Sequence, residues 1–313
     1  MEEQQLQETR QKRYRKKRLR KGRVFLFVLF IGLMALSFYI VDQYKKGKEL
    51  AGGEIEKEIE FVADDVSGGV VNYLIVGVDS RGEEKSRSDT MMVLSWNKKE
   101  KTLKLISFMR DIYAEIPGYD QSWKLNTAYY LGGVQLLKDT LNHMFDLSIH
   151  HYVVMDFQSF ESLIDILAPE GIEIEVEKDM SAFIGVSLTQ GVQKLNGKEL
   201  LGYARFRYDA EGDFGRVRRQ QKVIDALKEE LMKPSSVKNL PKFIGAAQGY
   251  VVTDLSASEE LKTALSMISS SSEIEKLTIP VEGSYHFQDY PHAGSVIVID
   301  LEENKQKLND FLN

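Results

Sequence analysis

The longest apolar run in the chain is residues 24–41, 18 positions without a charge. That length is near the lower limit for crossing a hydrocarbon core of about 30 Å. Only Ser37 and Tyr39 interrupt it, so it lacks the polar face of a core-packing helix. A signal peptide would carry a shorter apolar segment with a small-residue cleavage site close behind it. Here Ala51-Gly52-Gly53 comes too late, and the run predicts an uncleaved membrane anchor. Beyond it, residues 73–78 form a continuous apolar stretch, as expected of a strand covered on both faces. Further strands are predicted at 91–95, 103–109, 152–156 and 172–176. Helical spacing appears at 134–145, apolar at 134, 137, 141 and 145, and again at 160–167. Gly171 reads as a break between helix and strand. The prolines of 234–241 and the serines of 269–272 read as loops. Strands at 277–281 and 296–300 and a short final helix complete the pattern. Mixed strands and helices predict an α/β domain with a single mixed central sheet flanked by helices, preceded by one transmembrane helix.

Charge divides the chain. Residues 1–23 carry ten Lys or Arg against three Glu, a local +7, leaving −13 for the rest against a total of −6. The basic side of a span stays in the cytoplasm, so residues 1–23 are expected inside and the body outside. An acidic body argues against nucleic-acid binding, which needs a basic face. The basic arm is also too short to fold into a DNA-binding domain. Residues 42–69 read as an extracellular stalk, a solvated spacer with glutamates at 54, 56, 58 and 60. Residues 70–313 form the external domain, with most motifs in 70–232 and 233–313 completing it. The absence of cysteine is compatible with either compartment.

The chemistry is carried by arginines set among aspartates: Arg87-Ser88-Asp89-Thr90, Arg110-Asp111, Arg205-Phe206-Arg207 and Gly212-Asp213-Phe214-Gly215-Arg216. Guanidinium groups match phosphate oxygens two at a time, so the set points to a diphosphate. Were 203–208 a strand, Arg205 and Arg207 would share a face roughly 6.7 Å apart, with an anion between them. In a helix after Gly215, Val217, Val223, Ile224, Leu227 and Leu231 form the inward arc. Arg216 and Gln220 fall on it too, and Arg218 lies opposite. An inward Arg in a helix's first turn needs a partner; Arg219, at the arc's edge, stays open. Asp79 ends the first strand, where α/β sheets bind ligands. With Asp89 it would suit Mg²⁺, which commonly takes one or two carboxylates plus phosphate oxygens. His150-His151 and the pair His286 and His292 have no metal-ligand spacing. There is no Walker loop and no nucleophile elbow.

Seven ordered stretches resemble the LytR-CpsA-Psr family of cell-envelope proteins. They are Asn72-Tyr73-Leu74-Ile75-Val76-Gly77-Val78-Asp79, Arg87-Ser88-Asp89-Thr90-Met91-Met92, Phe108-Met109-Arg110-Asp111 and Lys124-Leu125-Asn126-Thr127-Ala128-Tyr129. Leu195-Asn196-Gly197, Tyr203 to Tyr208, and Gly212 through Gln221 follow. Two departures stand out: Met109 replaces the family's usual Pro, and Ala168-Pro169-Glu170-Gly171 replaces a Gly-Gly-Val stretch. The resemblance implies a phosphotransferase that moves a glycopolymer from undecaprenyl pyrophosphate to peptidoglycan, forming a phosphodiester with Mg²⁺. On that basis Arg87, Arg110, Arg205, Arg207, Arg216 and Gln220 would hold the pyrophosphate. Asp79 and Asp89 would hold the metal, and Asp213 would orient Arg216 or act as base. Lys124 and Asn126 would be secondary phosphate contacts. The helices 134–145 and 160–167 are expected to wall a pocket for the prenyl chain. Hydrolysis of the same carrier, or binding without turnover, would use the same clamp.

Overall fold

The structure, a computed structural model, describes residues 21–52, 61–66, 68–79, 86–268 and 273–313. Most of the basic arm, the alternating glutamates, Ser80-Arg81-Gly82 and Ser269–Ser272 lie outside the described residues. The chain divides into two units, residues 1–42 and 43–313. Helix α1 (Lys21–Leu50) contains the apolar run and is long and apolar enough to cross a membrane.

In the second unit the chain order is β1 (Val70–Val78), β2 (Ser88–Asn97), β3 (Thr102–Phe108), β4 (Tyr113–Ala114), β5 (Trp123–Lys124) and α2 (Leu125–Phe145). Next come β6 (His151–Asp156), α3 (Phe157–Leu167), β7 (Ile172–Val176), β8 (Gly191–Leu195), α4 (Gly197–Arg205) and α5 (Gly212–Met232). The remainder is α6 (Pro234–Val237), α7 (Leu240–Tyr250), β9 (Val251–Thr253), α8 (Ala257–Ile268), β10 (Ile274–Ile279), β11 (Tyr285–Tyr290), β12 (Gly294–Ile299) and α9 (Leu301–Leu312). Six strands form one mixed sheet in the order β10-β3-β2-β1-β6-β9. β1 pairs parallel to β6 and β3 parallel to β10, while β2 runs antiparallel to both β1 and β3. β1, β3, β6 and β10 therefore end at the same edge, where β2 begins.

Alternation along β1 divides the core. Leu74, Val76 and Val78 share a cluster with Val134, Leu137 and Leu141 of α2. Val71, Tyr73 and Ile75 share one with Trp96, Leu105 and Ile224 of α5. The second face is also pinned by polar bonds, since Gln221 Nε2 of α5 donates to Ser107 Oγ (2.9 Å) and Thr278 Oγ1 (3.1 Å).

Three expectations change. The 203–208 segment is not a strand: Arg205 closes α4, and Phe206 is its extended C-cap. A capping box at Asn196 and Glu199 starts that helix, with reciprocal side-chain bonds to backbone N–H groups at 3.0 Å. The 234–241 segment is partly helical, because each proline stands in the first turn, where no N–H bond is lost. Part of the expected spacer is packed. Phe61 lies 4.8 Å from the Tyr152 ring, and Asp64 reaches Lys138 Nζ at 2.6 Å. The last turns of α1 cross α7 so closely that a Cβ at Gly245 would fall 2.0 Å from the Tyr44 carbonyl oxygen.

Candidate functional site

The sheet edge assembles the charged residues. Asp79 follows β1, Asp89 opens β2 and Arg110 lies just past β3. Asp89 owes its place to a β-bulge. Gly77 pairs with Thr90 and Val78 with Ser88, so Asp89 is the extra residue between them. A bulge re-aims the side chain it carries. Helix α5 brings its first turns over the same edge, and Gln220 Nε2 donates to Thr90 Oγ1 at 2.9 Å.

A cavity of about 530 Å³ opens along the α5 face of the sheet. Asp79, Asp89, Arg110, Arg205, Arg207, Arg216 and Gln220 line it, together with Ile75, Met92, Phe157, Phe160, Leu201, Val223 and Ile224. Ile75 precedes Asp79 by four residues, about 13 Å of strand. The lining thus passes from charged to apolar along the strand direction. The Arg205 guanidinium lies 4.4 Å above the Phe157 ring and 3.8 Å from Asp79 Oδ2. Phe160 belongs to the expected wall helix 160–167, now α3. Helix α2, the other expected wall, packs on the opposite face of the sheet and contributes nothing to the lining.

Two arginines share two carboxylates, and a third, Asp111, meets only Arg110 of the two. Arg110 Nη1 donates to Asp89 Oδ1, and its Nη2 lies 3.9 Å from Asp213 Oδ1. Arg216 Nη2 donates to Asp213 Oδ2 at 2.9 Å, with Nη1 3.8 Å from Asp89 Oδ1. Asp111 approaches Arg110 Nε at 3.5 Å and takes Lys124 Nζ at 2.7 Å. The two cations differ in balance. Burial acts to lower the Arg110 pKa, but Asp213, Asp89 and Asp111 outweigh it and the net shift is upward. Burial dominates at Arg216 and lowers its pKa; Asp213 and Asp89 oppose this, while Arg110 and Arg207 add repulsion. The Arg216 side chain is 6% exposed, and its Nε has no hydrogen-bond partner among the described residues. A buried cation so placed favours an anion in the cavity.

Not every expected residue reaches this cavity. Arg87 lies 5.8 Å over the Tyr130 ring, and Lys124 serves Asp111. Asn126 is buried, with its backbone N–H donating to the Arg110 carbonyl oxygen. Asp213 acts from behind the arginines and does not line the cavity. The sequence reading missed Phe157 and Asp156, both in the lining. Asp156 ends a parallel strand just as Asp79 does, which was the available signal. Arg219, left open above, is fully buried and ion-paired away from the cavity.

Asp79 follows β1 and Asp89 opens the adjacent β2, and both line one cavity. Among the described residues no cluster of three or more His, Cys, Asp or Glu is arranged for a metal. Mg²⁺ commonly takes one or two carboxylates and completes its shell with phosphate oxygens and water; here Asp79 and Asp89 face Arg205 and Arg110.

The LytR_cpsA_psr family model matches residues 37–309. The chain is 44% identical over 281 residues to the regulatory protein MsrR of Staphylococcus aureus, covering 89% of this chain and 86% of MsrR. It is 29% identical over 292 residues to TagU of Enterococcus faecalis, a polyisoprenyl-teichoic acid–peptidoglycan teichoic acid transferase, covering 92% and 95%. The crystal structure of B. subtilis TagV superposes with a TM-score of 0.67 at 26% identity, covering 79% of this chain and 98% of TagV. The family match spans most of the chain, and the same fold is present in a solved structure. The chain therefore belongs to the LytR-CpsA-Psr family.

Proposed function

We propose that this protein transfers a phosphate-linked glycopolymer from a polyprenyl pyrophosphate carrier to peptidoglycan, forming a phosphodiester. The observation that carries this reading is Arg216, a buried cation with an unpartnered Nε, set beside Arg110 and Arg207 in a cavity whose lining turns apolar along the sheet. Such a cavity suits a ligand with a diphosphate head and a hydrocarbon tail. The name of the TagU relative supports the same chemistry.

In the reaction an acceptor hydroxyl oxygen attacks the phosphorus that carries the glycopolymer. The P–O bond to the prenyl phosphate breaks, prenyl phosphate departs, and the hydroxyl proton passes to solvent or to a neighbouring carboxylate. Arg110 and Arg216 oppose the charge that builds on the phosphoryl oxygens, preorganised by Asp213 and Asp89. Arg205 and Arg207 hold the outer phosphate oxygens, and Phe157 fixes the plane of Arg205. Asp213 is placed to orient Arg216, since its Oδ2 is already engaged by that guanidinium. Asp79 and Asp89 would hold Mg²⁺, which when bound supplies charge neutralisation for the leaving phosphate.

The test uses the full chain in detergent with a prenyl-pyrophosphate disaccharide, Mg²⁺ and peptidoglycan oligomers, beside Arg205→Ala and Asp89→Ala. Acceptor-dependent release of prenyl phosphate, lost in both variants, is expected. Release without acceptor would instead identify a hydrolase. Tight binding with no turnover would leave a receptor.

A further inference from the structure

We infer that Arg219 is a positioning residue that sets the phosphate-facing loop carrying Arg207 and Tyr208. This rests on the diphosphate reading of the cavity. Arg219 belongs to α5 but faces away from the phosphate cluster, and its side chain is fully buried. Its two terminal nitrogens donate to the two residues that flank the Arg207-Tyr208 pair. Nη1 donates to the Phe206 carbonyl oxygen at 3.0 Å, and Nη2 donates to Asp209 Oδ2. The same guanidinium lies 5.0 Å from the Phe206 ring centroid.

The far side of the hub is equally tied. Arg219 Nε donates to Glu177 Oε1 at 2.8 Å, and Tyr203 Oη donates to Glu177 Oε2 at 2.8 Å. Asp209 also accepts from Lys178 Nζ at 3.2 Å and, through Oδ1, from the N–H groups of Glu211 and Gly212 at 3.1 Å. One guanidinium therefore links the end of α4, the start of α5 and the strand-following residue Glu177 around the 206–211 loop. Gly215, one turn earlier in α5, leaves the room for this: a Cβ there would stand 3.1 Å from Arg219 Nη1. Burial works against the charges of Asp209 and Glu177, yet the bonds they receive, those from Arg219 among them, hold both carboxyl pKa values below their ordinary range.

Among the described residues the side chains of Arg207 and Tyr208 have no comparable polar tether, and the Tyr208 ring rests 5.0 Å from that of Phe183. Both line the cavity, and the Tyr208 side chain is 66% exposed. Their placement follows from the pinned residues at 206 and 209. Three fixed donors of a planar fork suit this task, and a lysine in the same place would satisfy only part of the acceptor set.

The test separates head from tail. The full chain in detergent is titrated with inorganic pyrophosphate by calorimetry, and with a fluorescent prenyl alcohol to report the apolar part of the cavity. Arg219→Met is expected to weaken pyrophosphate binding about tenfold or more, with prenyl alcohol affinity unchanged. Arg219→Lys should recover part of the loss. Because Arg219→Met removes a buried hub and can fail to fold, Asp209→Asn is run beside it. It keeps the Oδ1 bonds to the α5 start but replaces Oδ2, the acceptor for Arg219 and Lys178, with an amide donor, and it should show the same split. Undiminished pyrophosphate affinity in folded Asp209→Asn, or equal loss of both ligands, would overturn the positioning role. Absence of pyrophosphate binding in the unaltered chain would overturn the diphosphate reading and the role with it.

Discussion

Asp213→Asn isolates the electrostatics of the site with almost no change of shape. Asp213 holds Arg216 at 2.9 Å and faces Arg110 at 3.9 Å, and its side chain is 18% exposed. At an effective dielectric near 20, the two attractions amount to about 6 and about 4 kcal/mol before desolvation. Asparagine keeps a hydrogen bond to Arg216 and avoids the cost of burying a carboxylate, which returns much of that sum. A net loss of about 2–4 kcal/mol remains, in the range found when one partner of a buried charge pair is neutralised. For a domain of this size that is about 5–10 °C in thermal midpoint. The same change leaves Arg216 and Arg110 less neutralised, so inorganic pyrophosphate should bind the variant more tightly and restore more of its midpoint than it adds to the unaltered protein. Turnover should nevertheless fall, because Arg216 loses its orienting partner. Differential scanning calorimetry with and without pyrophosphate, followed by the transfer assay, measures all three. An unchanged midpoint together with a smaller pyrophosphate shift would refute the picture of an under-neutralised cation waiting for an anion.

Other outcomes follow from particular contacts. Phe157→Ala removes the ring beneath Arg205 and should weaken pyrophosphate binding by about 1 kcal/mol, near fivefold, by calorimetry. Gly245→Ala puts a methyl 2.0 Å from a backbone oxygen of α1; the forced separation should cost about 1–3 kcal/mol in thermal unfolding. His150 accepts from the Asn72 N–H through Nδ1 at 2.9 Å, and burial lowers its pKa. Its folded value lies below its unfolded one, so its contribution is full above the ordinary imidazole value near 6.5 and is lost as pH falls through the lowered value. Stability should therefore decline as pH falls below the ordinary imidazole value, and His150→Asn should flatten that part of the curve.

The sequence was most readable where one physical signal acted alone. The run at 73–78 is apolar throughout and forms the second half of a central strand. Arg216 fell on the inward arc of α5 because its helix has clear periodicity, and it is buried as that arc required. The 205–208 segment misled because Arg-Phe-Arg alternates like a strand, although the capping box at Asn196 and Glu199 marked a helix start nine residues earlier. Arg219 was unreadable for a different reason. It sits at the edge of the inward arc, where periodicity does not decide, and its acidic partners Glu177 and Asp209 lie 42 and 10 residues away. Lys124 and Asn126 sit in a family-like stretch, yet their visible work is local, on Asp111 and on the Arg110 carbonyl.

The bulge at Asp89 makes the site depend on a count of residues. Side-chain direction along a strand reverses with every position, so a one-residue slip sends a side chain to the other face. Asp89 escapes that alternation because β2 carries one residue more than β1 at this point. Deleting a single residue from the bulge would let the ladder close regularly, with the sheet and its buried faces otherwise preserved. The carboxylate that meets Arg110 and Arg216 would be displaced from both. Loss of one residue within the first positions of β2 is thus a route by which a folded member of this lineage could lose its charge cluster while keeping its core, its N-terminal apolar helix and its apolar cavity.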